Sequence, residues 1–320
     1  MTWPRLGVSF LLLLAVFTAV TLWRGDVRGR AAEAESPPEG VFVTVEGLRI
    51  HAVQQGSGPD LVLLHGASGN LRDLTFHLLP ELAKRYRVTA IDRPGLGHSD
   101  PLPEGEAGLA AQARVLSLAA EALGVRRPVL VGHSFGGSVA LAWAVTRPPG
   151  TAPVALVTIA GPSLPWPGDL DPWYRANRWT LVRAVTVPLV AAYVPRAFVE
   201  SSVAAVFAPQ AMPEGYLAYF GPMLATRRER LAQNLGQVIA LRDQLVAMEP
   251  DYPQMTLPFE LVHGDADTIV PLTVHSAPLA ARLPNAHLTV IAGAGHMPHH
   301  ARQDVVIAAI DRAAARAGLR

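Results

Sequence analysis

The fold is decided by residues 128–145, PVLVGHSFGGSVALAWAV, where a short apolar run leads through a glycine-rich turn into a helix-compatible segment. Ser134 lies at the centre of this turn, with Gly132 two positions before it and Gly136 two positions after it. A serine on so tight a strand-to-helix turn has a strained backbone, and the two glycines leave room for neighbouring backbone. The pattern predicts an exposed nucleophile at Ser134 and a Phe135 amide aimed at a reacting carbonyl oxygen. The strand before the turn and the helix after it favour this over a purely structural glycine turn.

Working outward, short apolar runs recur along the chain and alternate with helical stretches. Such continuous runs are typical of strands covered on both faces, and their alternation with helices predicts a doubly wound, mostly parallel α/β sheet. A helical face is predicted in 107–124 and again in 301–317. The predicted strands are 41–46 and 48–54, joined as a hairpin at Gly47, followed by 61–64, 87–91, 128–131, 154–159, 259–262 and 287–291.

An acid and a base follow the last two of these strands. The run 259–262 leads into Asp265 and Asp267, and the run 287–291 leads into His296. Side chains just past the carboxyl ends of parallel strands converge at one edge of the sheet, which is where sites in open α/β sheets form. A serine hydroxyl needs a base, and the base needs an orienting acid. The chain order Ser, Asp, His is the order found in α/β hydrolases.

Five motifs in this order resemble the α/β-hydrolase fold over residues 41–317, within the cap-bearing group of esterases, carbon–carbon bond hydrolases, haloalkane dehalogenases and epoxide hydrolases. The motifs are His65-Gly66-Ala67-Ser68-Gly69, the segment 92–99 (DRPGLGHS), the serine turn, Gly264-x-x-Asp267 and Gly295-His296. Serine at position 134 argues against the dehalogenases and epoxide hydrolases, which use an aspartate there.

The resemblance implies a role for each matching residue. It makes Ser134 the nucleophile, His296 the general base and later acid, and Asp267 the group that holds the imidazole, with Asp265 as the competing acid. The amides of Ala67 and Phe135 would form the oxyanion hole, with Ser68 as a less favoured contributor. His65, His98 and His133 are interpreted as hydrogen-bonding residues that shape their loops.

No cofactor or metal is predicted. The Gly-x-Gly at 95–97 lacks the spacing of a dinucleotide-binding motif. A metal site built from His296, His299 and His300 is not favoured, because no carboxylate or further histidine recurs at ligand spacing. The absence of cysteine excludes disulfides, thiolate metal sites and a cysteine nucleophile. A net charge of +1 gives no electrostatic footprint for nucleic acid.

The N-terminus is organised differently from the rest of the chain. Residues 6–23 carry no charge, and about 27 Å of helix nearly matches the ~30 Å hydrocarbon core of a bilayer. A single-pass membrane anchor is preferred here to a cleaved signal peptide with a distant site at Ala32-Glu33-Ala34, and to a buried core helix. Residues 1–5 would form a short tail and 24–40 a linker. Arg24, Arg28 and Arg30 favour a cytoplasmic domain, but the short tail leaves the side of the membrane open.

Residues 162–258 interrupt the alternation and are predicted to form a helical cap between two halves of the core, 41–161 and 259–320. Aromatic and methionine side chains there would partly line an apolar pocket over Ser134. Eight of the twelve Trp and Tyr residues fall in this interval: Trp166, Trp173, Trp179, Tyr174, Tyr193, Tyr216, Tyr219 and Tyr252. The same pocket is expected to include Met212, Met223, Met248 and Phe220.

The sequence therefore predicts a carboxylesterase-like serine hydrolase that cleaves an ester-like acyl bond of a small, apolar substrate. Two alternatives stay open. The same three residues could perform C–C bond hydrolysis, perhydrolase or haloperoxidase chemistry, or acyl transfer. Alternatively, the chain could be a non-catalytic, membrane-tethered binding module. Oligomeric state is left undecided.

Overall fold

The computed structural model describes residues 3–103, 105–106 and 108–319. Its centre is one eight-stranded sheet with the strand order β1-β2-β4-β3-β5-β6-β7-β8. β1 and β2 form the antiparallel hairpin expected at Gly47, β2 is antiparallel to β4, and all other neighbours are parallel. The predicted doubly wound α/β class is confirmed. The strands are β1 Val41–Val45, β2 Leu48–Gln55, β3 Asp60–Leu64, β4 Arg87–Ile91, β5 Val129–His133, β6 Ala155–Ile159, β7 Phe259–Gly264 and β8 Ala286–Ile291.

Helices cover both faces of the sheet and build the cap. The predicted helices at 107–124 and 301–317 appear as α4 and α13, and residue 107 lies outside the described residues. The helices are α1 Trp3–Glu35, α2 Arg72–Thr75, α3 Leu78–Leu82, α4 Leu109–Ala122, α5 Phe135–Thr146, α6 Pro172–Ala176, α7 Thr180–Tyr193, α8 Arg196–Val206, α9 Tyr216–Phe220, α10 Arg228–Met248, α11 Ser276–Arg282, α12 Pro298–Ala301 and α13 Gln303–Arg316, with 3₁₀ turns at Pro222–Thr226 and Glu249–Gln254.

The core lies on the two faces of the sheet, because side chains alternate along each central strand. In β3, Val62 and Leu64 pack with the face covered by α4 and α5, whereas Leu61 and Leu63 pack with the opposite face covered by α13. All five residues of β3 are buried. Each fully buried side chain of this size contributes roughly 1.5–3 kcal/mol, so the central strands form a rigid base for the loops at their carboxyl ends.

The interval between β6 and β7 is wholly described, and none of its residues forms a strand. It contains α6 to α10 and both 3₁₀ turns, and its own small core consists of Phe207, Tyr216 and Phe220 with Met297 from the sheet domain. This interval is the cap that lies over Ser134.

The N-terminal segment differs from the predicted linker. α1 is one uninterrupted helix of 33 residues, so residues 24–35 of the predicted linker 24–40 belong to this helix instead. Ala, Arg and Glu in this stretch are good helix formers, and the helix ends before Pro37-Pro38. Of the predicted tail 1–5, residues 1–2 lie outside the described residues, and the helix begins at Trp3.

The second half of α1 is held against the cap by polar contacts. Arg24 and Arg28 donate to the carbonyl oxygens of Ala192 and Val194 at the end of α7. Farther along α1, Glu33 pairs with Arg227 and Glu35 pairs with Arg196, both of the cap. By length and composition, α1 is apolar enough to cross a membrane from Gly7 onward. The apolar first half is exposed in the structure, with Leu13 70% and Phe10 65% accessible.

Candidate active site

Ser134 lies on the turn between β5 and α5, in the conformation that its flanking glycines suggested. Its backbone has φ 50° and ψ −126°, a region that side-chain-bearing residues seldom adopt. A Cβ at Gly132 would collide with the carbonyl oxygen of Gly136, and one at Gly136 would collide with that of Leu64. The sharp turn therefore depends on both glycines and presents the Ser134 hydroxyl at the carboxyl end of the sheet.

The predicted base and acid form a chain of hydrogen bonds with Ser134, in which the base lies between the serine and the acid. His296 Nε2 lies 2.9 Å from Ser134 Oγ, and His296 Nδ1 lies 2.8 Å from Asp267 Oδ2. The other oxygen of Asp267 accepts the amides of Ile269 and Val270, each at 2.9 Å. Asp265, the competing acid, is exposed and accepts the Gly293 amide instead. The structure thus brings Asp267, and not Asp265, to the imidazole.

Burial and hydrogen bonding determine the protonation states of Asp267 and His296. Burial alone would raise the pKa of the Asp267 carboxyl, but hydrogen bonds from His263, His296 and the Val270 amide hold that pKa well below its usual range. Burial lowers the pKa of His296, against the opposing effect of its bond to Asp267. At neutral pH, Asp267 is therefore ionised and His296 is a free base able to accept the Ser134 proton.

The two predicted oxyanion-hole residues flank Ser134. Phe135 is the first residue of α5, where the backbone amide has no partner within the helix. Ala67 lines the same cavity as Ser134, and a Cβ placed on its neighbour Gly66 would lie 3.5 Å from Ser134 Oγ. The Ser68 amide, the less favoured oxyanion-hole donor, is already bonded to Asn234 Oδ1 at 2.6 Å.

A buried arginine supports the loop that carries Ala67. Arg93 donates to the carbonyl oxygens of His65 and Gly66, each at 2.9 Å, and to Gln112 and Gln237. Burial lowers the pKa of Arg93 to about 9 and that of His65 to about 4. His65 accepts the Arg93 amide at 3.0 Å, in keeping with its interpretation as a loop-shaping residue.

Behind His296 lies a polar cluster that the sequence did not reveal, formed by Asp73, His133, Tyr216, His299 and His300. Asp73 accepts from the Tyr216 hydroxyl at 2.8 Å, from His300 Nε2 at 2.9 Å and from His299 Nε2 at 3.2 Å. Burial would raise the pKa of Asp73, but the surrounding histidines hold it well below its usual range. Burial also lowers the pKa of His299 to about 3. No spacing linked Asp73 to residues more than 220 positions away.

This cluster overlaps the histidines of the metal site that the sequence does not favour. Asp73 supplies the missing carboxylate, and one ligand-type atom each from Asp73, His299 and His300 lie within 4.8 Å of one another. Metal-bound histidines normally donate their second ring N–H to a neighbour. Within the described residues, Nδ1 of His299 and Nδ1 of His300 have no such partner. The donor set fits a carboxylate held by N–H and O–H groups better than a metal centre.

A cavity of about 620 Å³ opens above Ser134 and His296. Its walls are mainly apolar and come from Val190 and Val194 at the end of α7 and from Phe198 and Val203 of α8. Trp173, Tyr216 and Phe220 line it as the sequence suggested, whereas Met212, Met223 and Met248 are not among its described lining residues. The cap side chains that line the cavity in place of these methionines are mainly valines of α7 and α8. No sequence periodicity predicts which residues of a cap face its cavity.

The comparisons with known proteins agree with this architecture. A model of the alpha/beta hydrolase family matches residues 61–309. The 2-hydroxymuconate semialdehyde hydrolase of Pseudomonas sp. is 29% identical over 267 residues, covering 83% of this chain and 90% of that protein. A bacterial membrane phospholipase A is similar in structure with a TM-score of 0.67 and 24% identity, over 97% of this chain and 99% of the other.

An esterase from Exiguobacterium antarcticum has a TM-score of 0.69 and 19% identity, over 86% of this chain and 99% of its own. At these identities the structural likeness concerns the fold alone. The family match covers most of the chain, and it includes the serine turn and the strands that carry Asp267 and His296. The chain belongs to the alpha/beta hydrolase family.

Proposed function

We propose that the protein is a serine hydrolase that cleaves an ester-like acyl bond of an apolar substrate through an acyl-enzyme on Ser134. The observation that carries this proposal is the unbroken hydrogen-bonded line from Ser134 Oγ through His296 to Asp267. An aligned hydroxyl, a neutral imidazole and an ionised carboxylate are the three parts that such catalysis requires.

In this reaction, His296 Nε2 takes the Ser134 proton while Oγ attacks the substrate carbonyl carbon. The amides of Ala67 and Phe135 donate to the oxyanion that forms, a stabilisation worth roughly 10²–10³ in rate per donor. His296 then protonates the leaving alkoxide, and the alcohol departs from the acyl-enzyme. A water molecule gives a proton to His296, attacks the acyl carbonyl and releases the acid, and His296 returns the proton to Ser134.

Replacement of Ser134 by alanine tests the nucleophile. Ser134→Ala should keep the fold, measured by circular dichroism, but lose fluorophosphonate labelling and at least about 10⁴-fold in the hydrolysis of p-nitrophenyl butyrate. Ser202→Ala is the matched control, because Ser202 lines the same cavity and its hydroxyl bonds to the Phe198 carbonyl. Unchanged labelling of Ser134→Ala would refute the assignment.

The lining of the cavity favours acyl esters over the second candidate, C–C bond hydrolysis. That candidate rests on the 2-hydroxymuconate semialdehyde hydrolase relative, whose named substrate carries a carboxylate. A carboxylate buried in a cavity needs a cationic partner, and the described residues that line this cavity include neither Lys nor Arg. An uncharged acyl chain fits these walls better.

Assays with graded substrates separate the remaining chemistries of the same residues. Hydrolysis of p-nitrophenyl esters of increasing chain length should exceed turnover of a 2-hydroxy-6-oxo dienoate. Addition of peroxide or an alcohol acceptor distinguishes perhydrolase, haloperoxidase and acyl-transfer chemistry from hydrolysis. Failure of every serine-directed probe to label the wild-type chain would favour the non-catalytic, membrane-tethered binding module instead.

We propose further that α1 anchors the protein in a membrane by a single span, with residues 6–23 in the hydrocarbon. The exposed apolar surface of this segment supports the proposal. The anchored chain should sediment with membranes and resist extraction by alkaline carbonate. A reporter fused to the C-terminus distinguishes the cytoplasmic from the exported orientation.

A further inference from the structure

The position of the cavity relative to the anchor is fixed by contacts between α1 and the end of α7. The rings of Phe17 and Tyr193 stack with centroids 6.4 Å apart, and the Tyr193 hydroxyl lies 3.1 Å from Thr21 Oγ1. At Gly25, α1 approaches α7 so closely that an added Cβ would lie 3.6 Å from the Cβ of Ala191. Because α1 is unbroken between the apolar span and these contacts, the cap cannot swivel freely about its anchor.

These contacts give the depth of the cavity. The uncharged segment ends at Trp23, and Arg28, which binds the Val194 carbonyl, lies about 7.5 Å farther along the helix at 1.5 Å per residue. The headgroup layer of a bilayer is itself roughly 5–7 Å thick on each side. Tyr193, next to Val194, reaches back to Phe17 and Thr21 of the span, so Val194 lies near the boundary between hydrocarbon and headgroups when residues 6–23 fill the hydrocarbon.

The mouth of the cavity lies at this same level. Val194 and Phe198 both line the cavity, and Phe198 is 64% exposed, so its ring stands at the opening. Between these two residues the chain turns by 103° from α7 into α8. Together the two helices are apolar enough to enter a bilayer, although neither alone has the length of a span.

The first turns of α7 extend the apolar surface. Trp179 is 73% exposed and Leu181 84% exposed, with Val182 and Val185 on the same stretch of the cap. We refer to Trp179, Leu181, Val182, Val185 and Phe198 as the cap patch. Exposed apolar side chains grouped on one short stretch of helix mark an interaction site. Arg183 lies among them in sequence, whereas Arg178 is paired with Asp169.

We propose that the cavity opens at the headgroup level of the membrane and that its substrate is the acyl ester of a membrane lipid, whose chain enters past Val194 and Phe198. The cap patch then rests on the bilayer surface beside the anchor. This inference rests on the proposed acyl-ester hydrolysis and on the anchor, and it adds the source of the substrate and the route by which it reaches Ser134.

Depth measurements test the placement directly. The chain has no cysteine, so Phe198→Cys, Leu181→Cys and Val246→Cys each create one site for an environment-sensitive fluorophore on the full chain in phosphatidylcholine vesicles. Val246 is the control, since it is 49% exposed near the end of α10 and lines no part of the described cavity. The labels at 198 and 181 should shift to the blue and be quenched by headgroup-spin-labelled lipid, whereas the label at 246 should not. Equal responses at the three positions would overturn the placement.

A second experiment tests the substrate class. Wild-type protein should release fatty acid from vesicle phosphatidylcholine, and the double variant Leu181→Glu, Val185→Glu should do so at least about tenfold more slowly because its cap patch no longer favours the bilayer. In detergent, the same variant should hydrolyse p-nitrophenyl butyrate at the wild-type rate. If the wild type hydrolyses p-nitrophenyl butyrate but releases no fatty acid from vesicles, this inference is overturned and the proposed function stands. If the wild type hydrolyses neither substrate, the proposed function is refuted.

Discussion

His133 Nε2 donates a hydrogen bond of 2.9 Å to the backbone carbonyl oxygen of His296. The carbonyl oxygen can only accept, so this ring nitrogen carries the proton. His133 is also the residue immediately before Ser134. One buried bond therefore joins the turn that carries the candidate nucleophile to the loop that carries the candidate base.

Removal of this bond should slow acylation without abolishing it. His133→Ala leaves the His296 carbonyl buried without that donor, which costs about 1–3 kcal/mol, and allows the imidazole to move relative to Ser134. We expect kcat for p-nitrophenyl butyrate to fall about tenfold, with a parallel loss in the rate of fluorophosphonate labelling.

His133→Gln distinguishes positioning from a general loss of stability. Glutamine keeps an N–H donor at a similar reach, so this variant should recover most of the activity lost in His133→Ala. If both variants are equally slow, or if neither differs from wild type, the bond does not position His296.

The pH dependence of activity should reflect the lowered pKa of His296. The imidazole must be neutral to accept the Ser134 proton, so kcat/KM falls as the pH drops through the pKa of His296 in the free enzyme. Burial lowers that pKa, and the acid limb should therefore lie below the ordinary histidine value of about 6.5. An acid limb with its midpoint above pH 7 would contradict this assignment of the base.

The two neighbouring acids after β7 should behave very differently when each is changed to asparagine. Asp267→Asn keeps the shape but loses the charge that orients His296 and stabilises its protonated form, and kcat should fall by about 10⁴-fold. Asp265→Asn changes an exposed side chain that accepts the Gly293 amide and should leave kcat unchanged. Steady-state kinetics of both proteins measures the contrast, and equal losses would show that the acid is misassigned.

The sequence predicted those parts of the molecule that local patterns encode. β-branched and leucine-rich runs marked the strands, because the central strands are covered on both faces and few polar residues interrupt the runs. The serine turn could be predicted because positions 132 and 136 have no room for a Cβ and therefore require glycine. His296 and Asp267 were found because each directly follows a strand.

Contacts between distant parts of the chain could not be predicted from the sequence. Asp73 lies in a short helix with no motif around it, and only the fold brings it to His299 and His300. The stretch 24–35 resembled a linker because its composition is polar and small, although Arg24 and Arg28 find acceptors on α7 that no local pattern announces. Tertiary contacts decided both cases.

Asp73 should contribute to stability in a pH-dependent way. Its pKa in the folded protein lies well below the ordinary value because histidines surround the buried carboxylate. A carboxyl with a depressed folded pKa stabilises the protein fully above the unfolded pKa of about 3.9, and the contribution is lost as the pH falls below that value. Asp73→Asn should therefore lower the free energy of unfolding at pH 7 by about 3 kcal/mol or more.

Urea unfolding of the full chain in detergent, followed by intrinsic fluorescence between pH 7 and pH 3, measures this effect. The variant should lose less stability than wild type between pH 5 and pH 3, because the titrating carboxylate is gone. Asp304→Asn is the control: the pKa of Asp304 is also lowered, by its hydrogen bonds with Arg302, but the pair is exposed to solvent, and its stability should match wild type at every pH. An equally small effect at Asp73 would mean that the buried cluster is not held together by an ionised carboxylate.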